Sequence, residues 1–145
     1  SSRQWCKLKD VVTNVKTTTQ TLTDNDIYIG LENITSNTGE YIPTIEKQSI
    51  SSAAVFKQGN ILFSKLRPYL NKVYHAEFSG KCSTEFHVFE AKNINPKFLT
   101  ILLRSNIVLV QTKHLMTGKL FLDYKQRMLK ILFFLYSLMK NKKEL

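Results

Sequence analysis

Apolar and polar side chains alternate along the middle of the chain, and the period changes near residue 95. Alternation in residues 72–78 and 81–90 is typical of strands. It puts Lys72, Tyr74, Ala76 and Phe78 on one face of the first segment, and Cys82, Thr84, Phe86 and Val88 on one face of the second. The turn residue Gly80 lies between them and predicts a hairpin. Ile27–Ile34 and Ile61–Phe63 are further short strands by the same reasoning. Asn37-Thr38-Gly39 and Gln58-Gly59-Asn60 are turn signals, while Ser49 to Phe56 is another apolar segment.

A helical period follows these strands. Asn95 is a good N-cap and Pro96 suits the first helical position. The pattern predicts a helix through Leu103, a break at Asn106, and a second helix over Ile107–Met116. Short strands followed by two helices indicate an α+β fold.

One stretch combines strand, turn and positive charge. From Lys57 to Lys72 the chain has four basic residues and no acid, and a turn carrying Lys65, Arg67 and Pro68 follows the strand. A second extended segment is predicted from Tyr69 to Tyr74. Lys and Arg contact phosphates, and Arg, Asn and Tyr also contact bases, so the mixture fits a polyanion with readable edges. The alternative is a solvated hairpin tip whose charge has no binding role.

Composition supports a basic globular protein. The 145 residues suffice for one domain with a real core, and the net charge of +10 with a pI near 9.7 favours nucleic acid or an anionic surface as partner. Two cysteines, Cys6 and Cys82, are too few for a disulfide framework. Reduced thiols and a cytoplasmic location are therefore expected. The chain begins without Met and without an apolar leader, so we also expect a fragment or trimmed chain.

Four blocks, in order, resemble the target-recognition domain of type I restriction-modification specificity subunits. The main block is GNILFSKLRPYLNKVYHAEFSGKCSTEFHVFEAK, from Gly59 to Lys92. YIGLENI at Tyr28–Ile34 resembles an earlier strand of that family, and FLTILLRS and LMTG resemble its closing helices. The resemblance covers about Trp5 to Gly118. It implies a twisted, partly helical arrangement of short strands followed by a C-terminal helical hairpin.

The resemblance also implies a function and partners. Such a domain binds one half of a bipartite site in double-stranded DNA and has no catalytic residues or cofactor of its own. Methyltransferase (modification) subunits carry S-adenosylmethionine and methylate adenine, and a restriction subunit cleaves. A half-subunit would pair as a homodimer. No membrane partner is implied.

Six residues are candidate DNA contacts. Lys65, Arg67 and Lys72 are predicted to contact phosphates or a groove, and Tyr69 to pack at the turn or touch a sugar. Base reading is expected in the less patterned loops Thr17 to Asp24 and Thr35 to Glu46, with Lys47 to Ser52 as a further candidate. Thr18, in the first of these loops, and Asn37, in the second, complete the six predicted contacts.

The segment 119–145 departs from the family pattern, so we divide the chain into a recognition domain, 1–118, and a basic, apolar C-terminal segment. The segment contributes 7 basic and 2 acidic residues. Ten of the twelve residues Met128–Met139 are apolar, too few for a spanning helix of about twenty. A packed helix, a membrane-surface helix and a frame-shifted tail are the three interpretations, and the first is favoured.

Catalytic and metal chemistry find little support. Glu90-Ala91-Lys92 resembles part of a metal-dependent nuclease site, yet no Asp lies between Asp26 and Asp123 to complete it. A zinc site from Cys82, His87 and His75 is disfavoured because residues five apart on a strand point to opposite faces. The alternative function is a small basic RNA- or protein-binding module without sequence-specific DNA readout.

Overall fold

The computed structural model describes residues 8–44 and 49–114. Trp5, Cys6, part of the loop Lys47 to Ser52, and the whole of 115–145 lie outside the described residues. The predicted end of the second helix at Thr117-Gly118, the domain boundary after residue 118 and the three interpretations of the C-terminal segment therefore stay predictions.

The described residues form two four-stranded sheets and three helices, which confirms the α+β fold. The first sheet has the strand order β1-β8-β5-β6 and the second has the order β2-β4-β7-β3. The strands are β1 Val12–Val15, β2 Thr18–Thr19, β3 Tyr28–Ile29, β4 Ala53–Phe56, β5 Ile61–Ser64, β6 Val73–His75, β7 Gly80–Cys82 and β8 Phe86–Ala91. The helices are α1 Leu8–Val11, α2 Pro96–Arg104 and α3 Asn106–His114, with 3-10 helices at Leu31–Asn33 and Pro68–Leu70.

The first sheet is covered on both faces, so the fold has three layers. Ile61 and Phe63 of β5 pack with the helices, while Leu62 between them packs with the second sheet. On β8, Phe89 joins the helical core and Val88 the core between the sheets. Successive strand residues point to opposite faces, so each strand contributes to two cores.

The predicted hairpin at Gly80 is wrong. β6 pairs with β5, whereas β7 pairs with β4 and, in parallel, with β3. Residues 81–90 are not one strand, because the backbone turns where the Phe86 amide donates to the Ser83 carbonyl at 3.1 Å. The chain thus passes from the second sheet to the first, where β8 pairs with β1 and β5.

The predicted strand Ile27–Ile34 is much shorter. The strand covers Tyr28–Ile29, and after Gly30 the chain forms the 3-10 helix Leu31–Asn33. The Asn33 side chain explains the change, since its Oδ1 accepts from the Gly30 amide at 2.8 Å and closes this turn. A buried asparagine thereby ends the strand.

The turns and the helix start that the sequence predicts agree with the structure. Asn37, Gly39 and Gly59 have positive φ, as their predicted turns require. The Asn95 cap is confirmed: its Oδ1 accepts from the Lys97 and Phe98 amides at 2.9 and 3.2 Å. The predicted break at Asn106 is displaced by one residue, because extended Ser105 separates the helices and Asn106 begins α3.

The cap gives a first testable prediction. Asn95→Ala removes the acceptor for two amides at the start of α2 and should lower the free energy of unfolding by about 1 kcal/mol. Urea denaturation followed by circular dichroism measures the difference. Asn95→Asp keeps an acceptor and serves as the matched control. A full loss in the Asp variant would contradict the capping role.

Candidate nucleic-acid interface

The basic turn joins β5 to β6 and contains a 3-10 helix where extended structure was predicted. Tyr69 lies within Pro68–Leu70, and Pro68 occupies the start of this helix, which suits its fixed φ. The prediction of an extended segment beginning at Tyr69 is therefore wrong. The strand resumes at Val73.

Backbone bonds hold both ends of this turn. The Lys65 amide donates to the Glu85 carbonyl at 2.7 Å, and the Ser64 hydroxyl donates to the Leu66 carbonyl. The Leu70 amide donates to the Arg67 carbonyl at 2.9 Å, closing the 3-10 helix. The basic turn therefore has one defined backbone conformation.

Asn71 connects the turn to two other elements. Its buried Nδ2 donates to the Arg104 carbonyl at 2.9 Å, at the end of α2, and to Asn37 Oδ1 at 3.2 Å. The Asn37 amide returns a bond to the Asn71 carbonyl at 2.9 Å. Asn37, predicted as a DNA contact, is exposed but also takes part in this structural link.

Lys72, another predicted contact, is half-buried and bound within the fold. Its Nζ donates to the Leu31 carbonyl at 2.8 Å, where the 3-10 helix Leu31–Asn33 begins. Arg67 and Tyr69 differ from it because both are exposed. The structure thus separates the predicted contacts into side chains that face solvent and side chains that tie loops together.

A groove of about 410 Å³ brings two predicted contacts together. Thr18 and Lys65, 47 positions apart in sequence, both line it, and Lys16 lines it as well. The lining residues are neutral or basic: Asn14, Val15, Lys16, Thr17, Thr18, Ala54, Lys65, Thr84, Phe86, His87 and Val88. We call this surface the Lys65 groove. It lies where the chain passes from β1 in one sheet to β2 in the other.

The charge and hydroxyl content of the Lys65 groove favour an anion. Two lysines and three threonines line it, and none of its lining residues within 8–44 and 49–114 carries a carboxylate. Lysine attracts phosphate oxygens, and threonine hydroxyls and asparagine amides donate to them. Sequence reasoning missed Lys16, although its place directly before the Thr-rich segment was a usable signal.

A second cavity, of about 850 Å³, was not predicted. Its charged lining is mixed, with Glu40 and Glu77 opposing Lys97 and Arg104. Burial, with the positive charge of Lys97 as a second cause, lowers the pKa of His75 in this cavity below its usual value. Because both signs of charge are present, this cavity has no clear preference for an anion.

The described residues give no metal centre. Nowhere within 8–44 and 49–114 do three His, Cys, Asp or Glu side chains gather closely enough to hold an ion. Burial raises the pKa of the Cys82 thiol to about 12, so the thiolate that a zinc ion requires is disfavoured. None of the helices in the described part of the chain has the length and apolar content needed to cross a membrane.

Comparisons with known proteins agree with this fold. No family model matches the chain. The type I restriction enzyme EcoDI specificity subunit of Escherichia coli is 37% identical over 78 residues, which are 52% of this chain and 17% of that protein. The HsdS subunit of Thermoanaerobacter tengcongensis superposes with a TM-score of 0.63, 23% identity, and coverage of 85% of this chain and 36% of that one. A chain from a structure of a type I restriction-modification system gives a TM-score of 0.65 with the same identity and coverage.

The fold is thus shared with chains from type I restriction-modification systems over 85% of this chain. In sequence the chain is similar to a specificity subunit over 78 residues, and the resemblance to the target-recognition domain of specificity subunits is confirmed. It spans 17% of the curated relative and 36% of each solved chain.

Proposed function

We propose that this chain is the target-recognition component of a type I restriction-modification complex and binds one half of a bipartite DNA site. The observation that carries the proposal is the Lys65 groove, where Thr18, Lys65 and Lys16 line one surface and the described lining residues include no carboxylate. Phosphate contacts of this kind supply affinity and fix orientation on the duplex, while loops reaching the base edges supply sequence choice.

In this proposal the chain performs no chemistry. Modification subunits supply S-adenosylmethionine and methyl transfer, a restriction subunit supplies cleavage, and the complex works in the cytoplasm. A half-subunit would require a second copy to read a bipartite site, which is the reason to include a homodimer. The predicted contacts Arg67, Tyr69, Lys72 and Asn37 remain part of the proposal, although Lys72 and Asn37 would have to contact DNA while keeping their bonds to Leu31 and Asn71.

The first experiment is selection from a random duplex DNA pool. The full chain, alone and with the modification subunits of its own system, should enrich one short half-site. Its affinity should fall steeply as salt rises, because bound phosphates release counterions. Enrichment of no duplex sequence in either form would contradict the proposal. Preference for single-stranded RNA would instead favour a basic RNA-binding module.

Substitution of Lys65 tests whether the Lys65 groove binds DNA phosphates. Lys65→Gln should weaken binding to all duplexes by a similar factor and lower the slope of log K against log salt by about one. Lys97→Gln, at an exposed lysine that lines the second cavity, is the matched control and should keep the parent slope. Equal slopes for the parent and Lys65→Gln would exclude Lys65 as a phosphate contact.

A further inference from the structure

Arg67 has a backbone conformation that its residue type disfavours. Its φ of 47° and ψ of 57° lie in the left-handed region, and the proline that follows further restricts it toward extended structure. The other non-glycine residues with positive φ in the described part of the chain are asparagines, which tolerate this region. They are Asn37, Asn71 and Asn93.

The fold makes no visible use of the arginine side chain. Arg67 is exposed, and within the described residues its guanidinium forms no hydrogen bond or ion pair. Its backbone carbonyl accepts from the Leu70 amide, a bond that glycine would make equally well. A glycine would also adopt the left-handed conformation without strain. Within the described residues, therefore, no contact of the side chain explains an arginine at this position, whereas contact with a bound partner would explain it.

The guanidinium is presented on a rigid support. The 3-10 helix Pro68–Leu70 follows it directly, and Asn71 fastens the end of that helix to α2 and to Asn37. Ordering a loop on binding costs free energy, so a loop already held in place binds more tightly. The basic turn has this preorganised form before any partner arrives.

The surroundings of Arg67 indicate DNA as that partner. Lys65, two residues before Arg67, lines the groove proposed to take phosphates, and both residues belong to the same basic turn. No acid occurs from Lys57 to Lys72. Leu66 and Tyr69, next to and two residues after Arg67 in the chain, are also exposed and could contact sugars.

We infer that Arg67 contacts the DNA backbone beside the Lys65 groove and that the chain gives up fold stability to place its guanidinium there. This inference rests on the proposed function for the identity of the partner. It assigns the predicted contact Arg67 to the DNA backbone and adds a conformational cost that can be measured without DNA. At position 67, DNA binding thus favours an arginine, whereas fold stability favours a glycine.

The test compares three variants in the full chain. In urea denaturation, Arg67→Gly should unfold at a higher midpoint than Arg67→Ala, because only glycine removes the left-handed strain. In DNA titrations across a salt series, both should lose affinity and lower the salt slope by about one. Arg67→Lys keeps the positive charge and should retain the parent slope.

Each result has a distinct meaning. An Ala variant as stable as the Gly variant would overturn the claim of backbone strain. Parent-like salt slopes for Gly and Ala would overturn the DNA contact, and weakened binding to the modification subunits in those variants would assign Arg67 to a protein interface instead. Failure of the proposed function looks different: the parent chain would enrich no half-site, yet the slope on random duplex would still fall when Arg67 is replaced. A parent chain without any duplex affinity would overturn both.

Discussion

Phe86→Ala is expected to lower the free energy of unfolding by about 3–5 kcal/mol, enough to unfold a marginally stable domain. Phe86 is 2% exposed, begins β8, and packs in the core between the two sheets. Its backbone pairs with Ser64, the last residue of β5, and its side chain lines the Lys65 groove. The substitution removes buried apolar area and leaves a cavity below the proposed phosphate site.

Urea denaturation at fixed temperature measures this loss, and the position of the side chain sets the controls. Phe98→Ala removes the same atoms from a half-buried site on α2 and should cost clearly less. Phe86→Leu fills most of the space and should also cost less than Phe86→Ala. A loss below about 1 kcal/mol for Phe86→Ala would show that the packing between the sheets is not as described here.

The sequence could predict which face each strand residue occupies, because that information is local. Tyr74 and Ala76 on one strand and Phe86 and Val88 on another were assigned to shared faces, and all four lie in the core between the sheets. Alternation survives even where the prediction of one continuous strand from 81 to 90 fails. The side-chain period of two is a property of the strand and does not depend on its neighbours.

Strand partners could not be predicted in the same way. The pairing of β7 with β3 joins Lys81 to Tyr28, more than fifty positions away, and no local pattern specifies such a choice. Gly80, between two predicted strands, indicated a hairpin turn, but a glycine also permits other paths of the backbone. The Cβ of any other residue at Gly80 would lie 2.8 Å from the Ile27 carbonyl oxygen, so this glycine is required for close approach of the β3 segment.

At the candidate site too, residue type predicts the chemistry of a side chain but not its tertiary contacts. Residue type sufficed to mark Lys65 as a potential phosphate contact and Thr18 as a DNA contact in a base-reading loop, and the fold brings them into one groove. Residue type could not predict that Lys72 donates to the Leu31 carbonyl or that Asn37 is hydrogen-bonded to Asn71. Hydrogen bonds across thirty or more positions depend on tertiary packing, which residue type alone leaves open.

Asn71→Ala is expected to lower the free energy of unfolding by about 2–5 kcal/mol. The substitution removes the bonds to Arg104 and Asn37 and leaves groups without their partners, at about 1–3 kcal/mol. It also places alanine at a φ of 55° and ψ of 53°, a left-handed conformation that costs about 1–2 kcal/mol for a residue with a Cβ. Urea denaturation provides the measurement.

Asn71→Gly separates the two causes, because glycine loses the same side-chain bonds but accepts the left-handed backbone. It should therefore be more stable than Asn71→Ala and less stable than the parent. Equal stabilities of the two variants would show that the backbone conformation costs nothing, and a parent-like Asn71→Gly would show that the side-chain bonds contribute nothing. Since Asn71 holds the turn that presents Arg67, a folded Asn71→Gly chain should also bind duplex DNA more weakly while keeping the parent salt slope: the phosphate contacts remain, but the turn must be ordered on binding.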